Sequence, residues 1–168
     1  MTPKDMTGPM AKIKIIGLGN PFMGDDAVGV LVTRHLHAYA SAHVSILEGG
    51  LSGLNLLHDM EETHTLILID AVHSHSKAGT IFRFTLPQDL EKIGKLAWGA
   101  STASSHAFGL AEALTLAHTL EVLPAHVVLF GIELEQIQTG HILSPEVSQA
   151  MNHLIKRIIV EELNLPHA

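Results

Sequence analysis

The stretch that most constrains this chain is Ile13–Val30. An apolar run ends in Gly17-Leu18-Gly19-Asn20, crosses Pro21-Phe22-Met23 to Gly24, and delivers adjacent carboxylates, Asp25 and Asp26, into a helical apolar pattern. It reads as a strand, a tight loop and a helix with an acidic start. An aspartate suits that start because its oxygen accepts bonds from unpaired N–H groups and its charge meets the positive end of the helix dipole. One aspartate is enough, which leaves the other for a cation. A dinucleotide fingerprint is disfavoured, since the glycine needed three residues after Gly19 is Phe22. A phosphate loop fails as well: no lysine follows Gly24, and negative charge stands where an anion would bind.

With 168 residues and 46% hydrophobic residues, the chain reads as one domain, 1–168, with a proper core. Residues 1–11 read as a flexible N-terminal extension without the apolar core of an export signal. No run approaches the ~20 apolar residues of a membrane span, so a soluble, cytoplasmic protein is expected. The formal charge of −7, with only 10 scattered Lys and Arg, argues against a nucleic-acid surface. The absence of cysteine excludes disulfides, thiolate metal sites and cysteine nucleophiles.

Strand-like and helix-like segments alternate along the chain. After the strand Ile13–Leu18 and a helix from about Asp26 to Tyr39, Val44–Leu47 reads as a second strand closed by Glu48, before a glycine-rich turn into a helix carrying Leu54, Leu57 and Met60. Leu66–Ile69 is a continuous apolar run of the kind buried on both faces, stopping at Asp70. The alternation in Gly79–Thr85 predicts an edge or antiparallel strand. Residues 88–103 mix a possible short helix with a Gly/Ala/Ser/Thr stretch around Trp98 and read as a mobile loop, and Ser104-Ser105-His106 as the opening of the next helix. Val127–Ile132 is the last buried strand, and Ser144-Pro145 is a strong helix start. The pattern predicts an α/β fold with a mostly parallel sheet and helices on both faces.

Ligands in such folds gather beyond the carboxyl ends of the strands. Asp26 after the first strand, Asp70 at the central one and His106 at the later helix would meet there. Two carboxylates and an imidazole suit a borderline divalent metal with positions left open for water or a partner's ligands. His73 and His75 form a rival pair in a polar loop and read as solvated, and His35 and His37 fall on different faces of their helix.

Gly17-Leu-Gly-Asn-Pro-Phe-Met-Gly-Asp-Asp-Ala-Val-Gly29, followed in order by Glu48-Gly-Gly, Leu68-Ile-Asp-Ala71, Ser105-His-Ala-Phe-Gly-Leu110, Gly131-Ile-Glu133 and Leu143-Ser-Pro-Glu-Val147, resembles the hydrogenase maturation proteases. The resemblance spans about residues 12–163. It implies a three-layer α/β/α sandwich of the phosphorylase/hydrolase-like kind, with a twisted, mainly parallel sheet of about five strands. It also implies an endopeptidase, of the aspartyl type in its reliance on carboxylates, that removes the C-terminal extension of the nickel-iron hydrogenase large-subunit precursor after nickel insertion. Nickel would arrive with the precursor, other divalent metals occupying the site in isolation. Asp26 and Asp70 match the family's acidic nickel ligands and candidate catalytic groups, and His106 its histidine ligand; supporting roles fall to Asp25 at the helix start, Glu48 and Asn20. Where the family carries aspartate and threonine after the second strand, this chain has Glu48 and Leu51. A monomer is expected, because the site must admit a large folded partner. A nickel-dependent chaperone that binds the precursor without cutting it is the alternative. A peptidyl-tRNA hydrolase, which shares Gly-Leu-Gly-Asn-Pro, is less favoured, because its Arg-His-Asn motif is missing and the acidic charge opposes tRNA.

Overall fold

Along the chain the strands are β1 (Ile13–Leu18), β2 (Val44–Gly50), β3 (Thr65–His73), β4 (Ile81–Leu86), β5 (Ala97–Trp98) and β6 (His126–Glu133). The helices are α1 (Val28–Leu36), α2 (Gly53–Asp59), α3 (Leu90–Gly94), α4 (Leu110–Thr119) and α5 (Pro145–Arg157). They come from a computed structural model that describes residues 12–50, 53–99 and 109–166, so the expected N-terminal extension lies outside the described residues.

The strands form a six-stranded sheet in the order β2-β1-β3-β6-β4, with β5 added beside β3. β2, β1, β3 and β6 are parallel, and β4 closes one edge antiparallel to β6, Ile81 opposite Ile132. Successive strand residues point to opposite faces, so the sheet builds two cores. Ile15, Ile67, Ile69 and Phe130 pack against α1 and α5 on one face. Ile16, Leu66, Leu68 and Leu129 pack against α2, α3 and α4 on the other. The result is the expected three-layer sandwich, with one strand more than the sequence suggested. Among the described residues, no helix is long and apolar enough to cross a membrane.

The additional strand is β5, and its origin is a vacancy. β1 covers one edge of β3 only as far as the pair Gly17 and Ile69, while β6 holds the other edge through Val72. Beyond Ile69 the first edge is open, and β5 takes it antiparallel, Trp98 opposite Val72. Residues 88–99 are thus part of the fold, not a mobile loop: Trp98 is buried and its indole Nε1 donates to the Ile93 carbonyl at 3.0 Å. Two further expectations change. β3 does not stop at Asp70, which is paired opposite Gly131 within a ladder that runs on to Val72. β2 continues past Glu48 to Gly50, with an irregularity in its pairing to β1 between Gly17 and Leu18. The expected helix opening at 104–106 lies outside the described residues; α4 begins at Leu110, behind Gly109.

What positions the site is a contact between backbones. A Cβ built on Gly17 would lie 2.1 Å from the Gly29 carbonyl oxygen, and one on Gly29 would lie 2.3 Å from that of Ile69 and 2.4 Å from that of Leu18. The first turn of α1 therefore rests directly on β1 and β3 with no side chain between them. Gly29→Ala is expected to lower stability by about 2–3 kcal/mol or more through this overpacking, and urea unfolding of the purified variant would check it.

Candidate active site

The loop from β1 to α1 is built around Asn20. Its side-chain Oδ1 accepts a bond from the Phe22 N–H at 3.0 Å, an Asx turn, and its carbonyl accepts the Met23 N–H at 3.2 Å. Its own N–H donates to Asp26 Oδ2 at 2.8 Å. Gly19, at φ +118°, passes so close to the backbone of Asp26 that a Cβ would sit 1.9 Å from that residue's carbonyl oxygen. Asp26 is thereby fixed in a fully buried position within a 3-10 turn, Gly24–Ala27, that leads into α1. Asn20 thus holds Asp26 through its backbone N–H, with its side chain shaping the turn.

Asp25 does something the sequence did not suggest. No side-chain hydrogen bond caps the 3-10 turn or α1, so Asp25 does not serve as a helix cap. Its carboxylate, 1% exposed, instead accepts the N–H of Glu135 at 2.9 Å, of Gln136 at 3.1 Å and of Ser144 at 2.7 Å, together with the Ser144 hydroxyl at 2.9 Å. It fastens the segment after β6 to the loop after β1. Main-chain bonds complete the seam, from Gly24 N–H to the Gly140 carbonyl at 3.0 Å and from Gly140 N–H to that of Phe22 at 2.9 Å.

Asp70 approaches from β3 and is 5% exposed. One bond, from the Ala71 N–H to Oδ1 at 2.9 Å, steadies its charged form. Burial, and then the negative charge of Asp26, act the other way and raise its pKa well above the ordinary 3.8. Gly99 lies over both carboxylates. Its N–H donates to the Ala71 carbonyl at 2.8 Å, its φ is +61°, and a Cβ there would fall 3.1 Å from Asp26 Oδ1 and 3.5 Å from Asp70 Oδ1. The two oxygens thus face one small space beside the Gly99 Cα. Oxygen donors of two chain segments around such a space suit a divalent cation or a water to be deprotonated. Gly99 escaped the sequence reading. A tryptophan followed by glycine in a weakly patterned stretch was the available signal.

The other candidates fall elsewhere. Glu48 is held by Arg34 of α1 in a two-pronged pair, Nε to Oε1 at 2.9 Å and Nη2 to Oε2 at 3.0 Å, and these hydrogen bonds lower its pKa. It ties α1 to β2 at the surface. His73 and His75 are exposed, their rings 4.6 Å apart. Between them Ser74 donates both its N–H and its hydroxyl to the buried Glu133, an anchor for the β3–β4 connection. His106 lies outside the described residues. Among the described residues, no group of three or more His, Asp or Glu is arranged to hold a metal.

Comparison with solved structures gives the fold its class. The chain superposes on the hydrogenase maturating endopeptidase HybD from Escherichia coli with a TM-score of 0.76 and 25% identity, over 91% of this chain and 93% of the other. It is similar also to the [NiFe] hydrogenase maturation protease HybD from Thermococcus kodakarensis, with a TM-score of 0.71 and 26% identity over 90% and 98%. In sequence, it is 33% identical to the hydrogenase expression/formation protein HupD of Bradyrhizobium diazoefficiens over 81% of this chain and 70% of that one. With HupD of Thiocapsa roseopersicina it is 30% identical, spanning 65% of that protein's length. The family model for hydrogenase maturation proteases matches residues 30–161. The chain therefore belongs to the hydrogenase maturation protease family, a family of peptide-bond hydrolases.

Two outcomes follow from the geometry. Asp25→Ala removes the acceptor of three N–H groups and a hydroxyl, and is expected to cost about 3 kcal/mol or more in chemical denaturation. For Asp70, a folded pKa above the unfolded one means that the native state binds the extra proton. Stability then falls as pH rises from 3.8 through the folded pKa. Asp70→Asn should remove this slope and be more stable than the wild type above that window, as thermal melts across pH would reveal.

Proposed function

We propose that this protein is an endopeptidase that removes the C-terminal extension of a nickel-iron hydrogenase large-subunit precursor once nickel has been inserted. The observation that carries the reading is the convergence of Asp26 and Asp70, both buried, on the space beneath Gly99. The names of the relatives support the choice of client, and the placement of Asp26 just beyond the carboxyl end of β1, with Asp70 in the C-terminal part of β3, supports the choice of site.

In this reading nickel is part of the substrate. Asp26, Asp70 and His106 offer oxygen and nitrogen ligands to positions that the precursor's own ligands leave open, so only the loaded precursor is gripped. A protease without cysteine has no thiolate with which to remove that nickel. Asp70 ligates a cation only in its charged form, which burial and the neighbouring Asp26 disfavour, so recognition is coupled to pH and weakens in acid. For the bond itself, a carboxylate oxygen of the pair takes a proton from the attacking water, whose oxygen adds to the peptide carbonyl. That proton then passes to the leaving nitrogen as the C–N bond breaks. The protein acts as a monomer in the cytoplasm.

The deciding experiment mixes purified protein with nickel-loaded and nickel-free precursor and follows precursor mass. Loss of a C-terminal peptide from the loaded form alone is expected, and Asp26→Asn, Asp70→Asn and His106→Ala should each lower the rate by about 100-fold or more while leaving the circular dichroism spectrum native. Unaltered processing by these variants would remove the assigned site. Tight binding of the loaded precursor without any change in mass would establish a chaperone instead.

A further inference from the structure

The turn after β3 carries two imidazoles that the proposed activity leaves unused. His73 ends the strand and His75 follows two residues on, both exposed, with ring centres 4.6 Å apart and ring planes 57° apart. The backbone that carries them is pinned. His73 pairs with Ala97 of β5, Ser74 donates its N–H to both Glu133 carboxylate oxygens at 3.0 Å and its hydroxyl to Oε2 at 2.6 Å, and the Gly79 N–H reaches the Glu133 carbonyl at 2.8 Å. His75 stands at φ +64°, in the left-handed region that few residues other than glycine enter. With the chain turned back there, its ring lies beside that of His73.

The spacing suits a shared ion. A zinc ion stands about 2.0–2.1 Å from an imidazole nitrogen and so about 3.2 Å from the ring centre, which sets two rings on one ion about 4.5 Å apart for right-angled ligands and about 5.2 Å apart for tetrahedral ones. The observed 4.6 Å falls within that span. Each exposed ring can turn a nitrogen toward the ion, and the buried Glu133 carboxylate held by Ser74 adds a negative charge close by. Imidazole selects borderline transition metals over magnesium and calcium, which prefer oxygen. We infer that His73 and His75 form a two-ligand site for a divalent transition metal such as zinc or nickel, its remaining positions filled by water. The site is distinct from the carboxylate pair: Asp70 and His73 are three residues apart on one strand, so their side chains leave opposite faces of the sheet. It needs neither the precursor nor the activity proposed above.

The test follows the ring nitrogens of the 13 histidines by two-bond proton–nitrogen NMR while zinc chloride is added to the chelator-treated full chain. His73 and His75 should shift on one common binding curve, ahead of the exposed His43, and magnesium chloride should move neither. Because the two ligands act together, His73→Ala should weaken the zinc binding read at His75 by about 10-fold or more. His75→Asn, which tolerates the same left-handed backbone, should do the same at His73, with the amide spectrum otherwise native. An affinity at His75 within about twofold of the wild type in His73→Ala would overturn the site. So would equal shifts at His64 and His126, whose rings lie 5.1 Å apart at the other end of the sheet, because ring proximity alone would then account for the binding.

Discussion

Everything at the site depends on one close approach, the seating of the first turn of α1 on the backbones of β1 and β3. Helices normally rest on sheets through a layer of side chains, about 10 Å thick between sheet-like layers. Here Gly17 and Gly29 remove that layer, and the Gly29 backbone meets the carbonyls of Leu18 and Ile69. Because Ile69 precedes Asp70 and Gly29 follows Asp26 by three residues, the same contact draws two carboxylates from separate elements into one space. The glycine pattern excluded a dinucleotide fingerprint through Phe22, yet close helix–strand packing is still achieved, with other glycines and other spacing.

Adjacent aspartates at the start of α1 have opposite tasks, and hydrogen bonding separates them. Asp25 is saturated by three N–H groups and a hydroxyl, so its charge is consumed in holding two segments together. Asp26 turns toward Asp70 and Gly99. Asp70 has one backbone donor against burial and a like charge, which is why it retains its proton more strongly than an ordinary carboxyl. Such an arrangement is costly for folding and useful for a group that must bind cations or move protons. Its cost is offset by the apolar packing of Leu66–Ile69 in the same strand, all fully buried.

Much of the layout was legible from periodicity. The apolar runs of β1, β3 and β6 and the helical stripes of α1 and α5 fell where the sequence placed them, because each buries its pattern locally. That Asp26 and Asp70 come together was legible from their place toward the carboxyl ends of β1 and β3. The remainder turned on partners remote in sequence. The donors to Asp25 lie 110 to 119 residues away, so a local reading could see only a helix cap. β5 has two residues and no periodicity, existing because β1 leaves an edge of β3 open. Asp70 read as a strand end because a carboxylate interrupts an apolar run, whereas the ladder to β6 carries the strand through it. Glu48 read as part of the site because of where it stands in the motif, although Arg34 across a helix–strand gap claims it.

The Asp25 clamp also sets the order in which the molecule can be completed. During synthesis from the N-terminus, β1, α1 and β3 leave the ribosome long before Ser144, the partner 119 residues downstream of Asp25. Closing so long a loop is entropically costly and gains its hydrogen bonds only at the end. Until then Asp25 is a solvated carboxylate and the loop after β1 has nothing to pair with. A nascent chain therefore carries both Asp26 and Asp70 without the surface that frames them, and the site becomes whole only after Ser144 has been made.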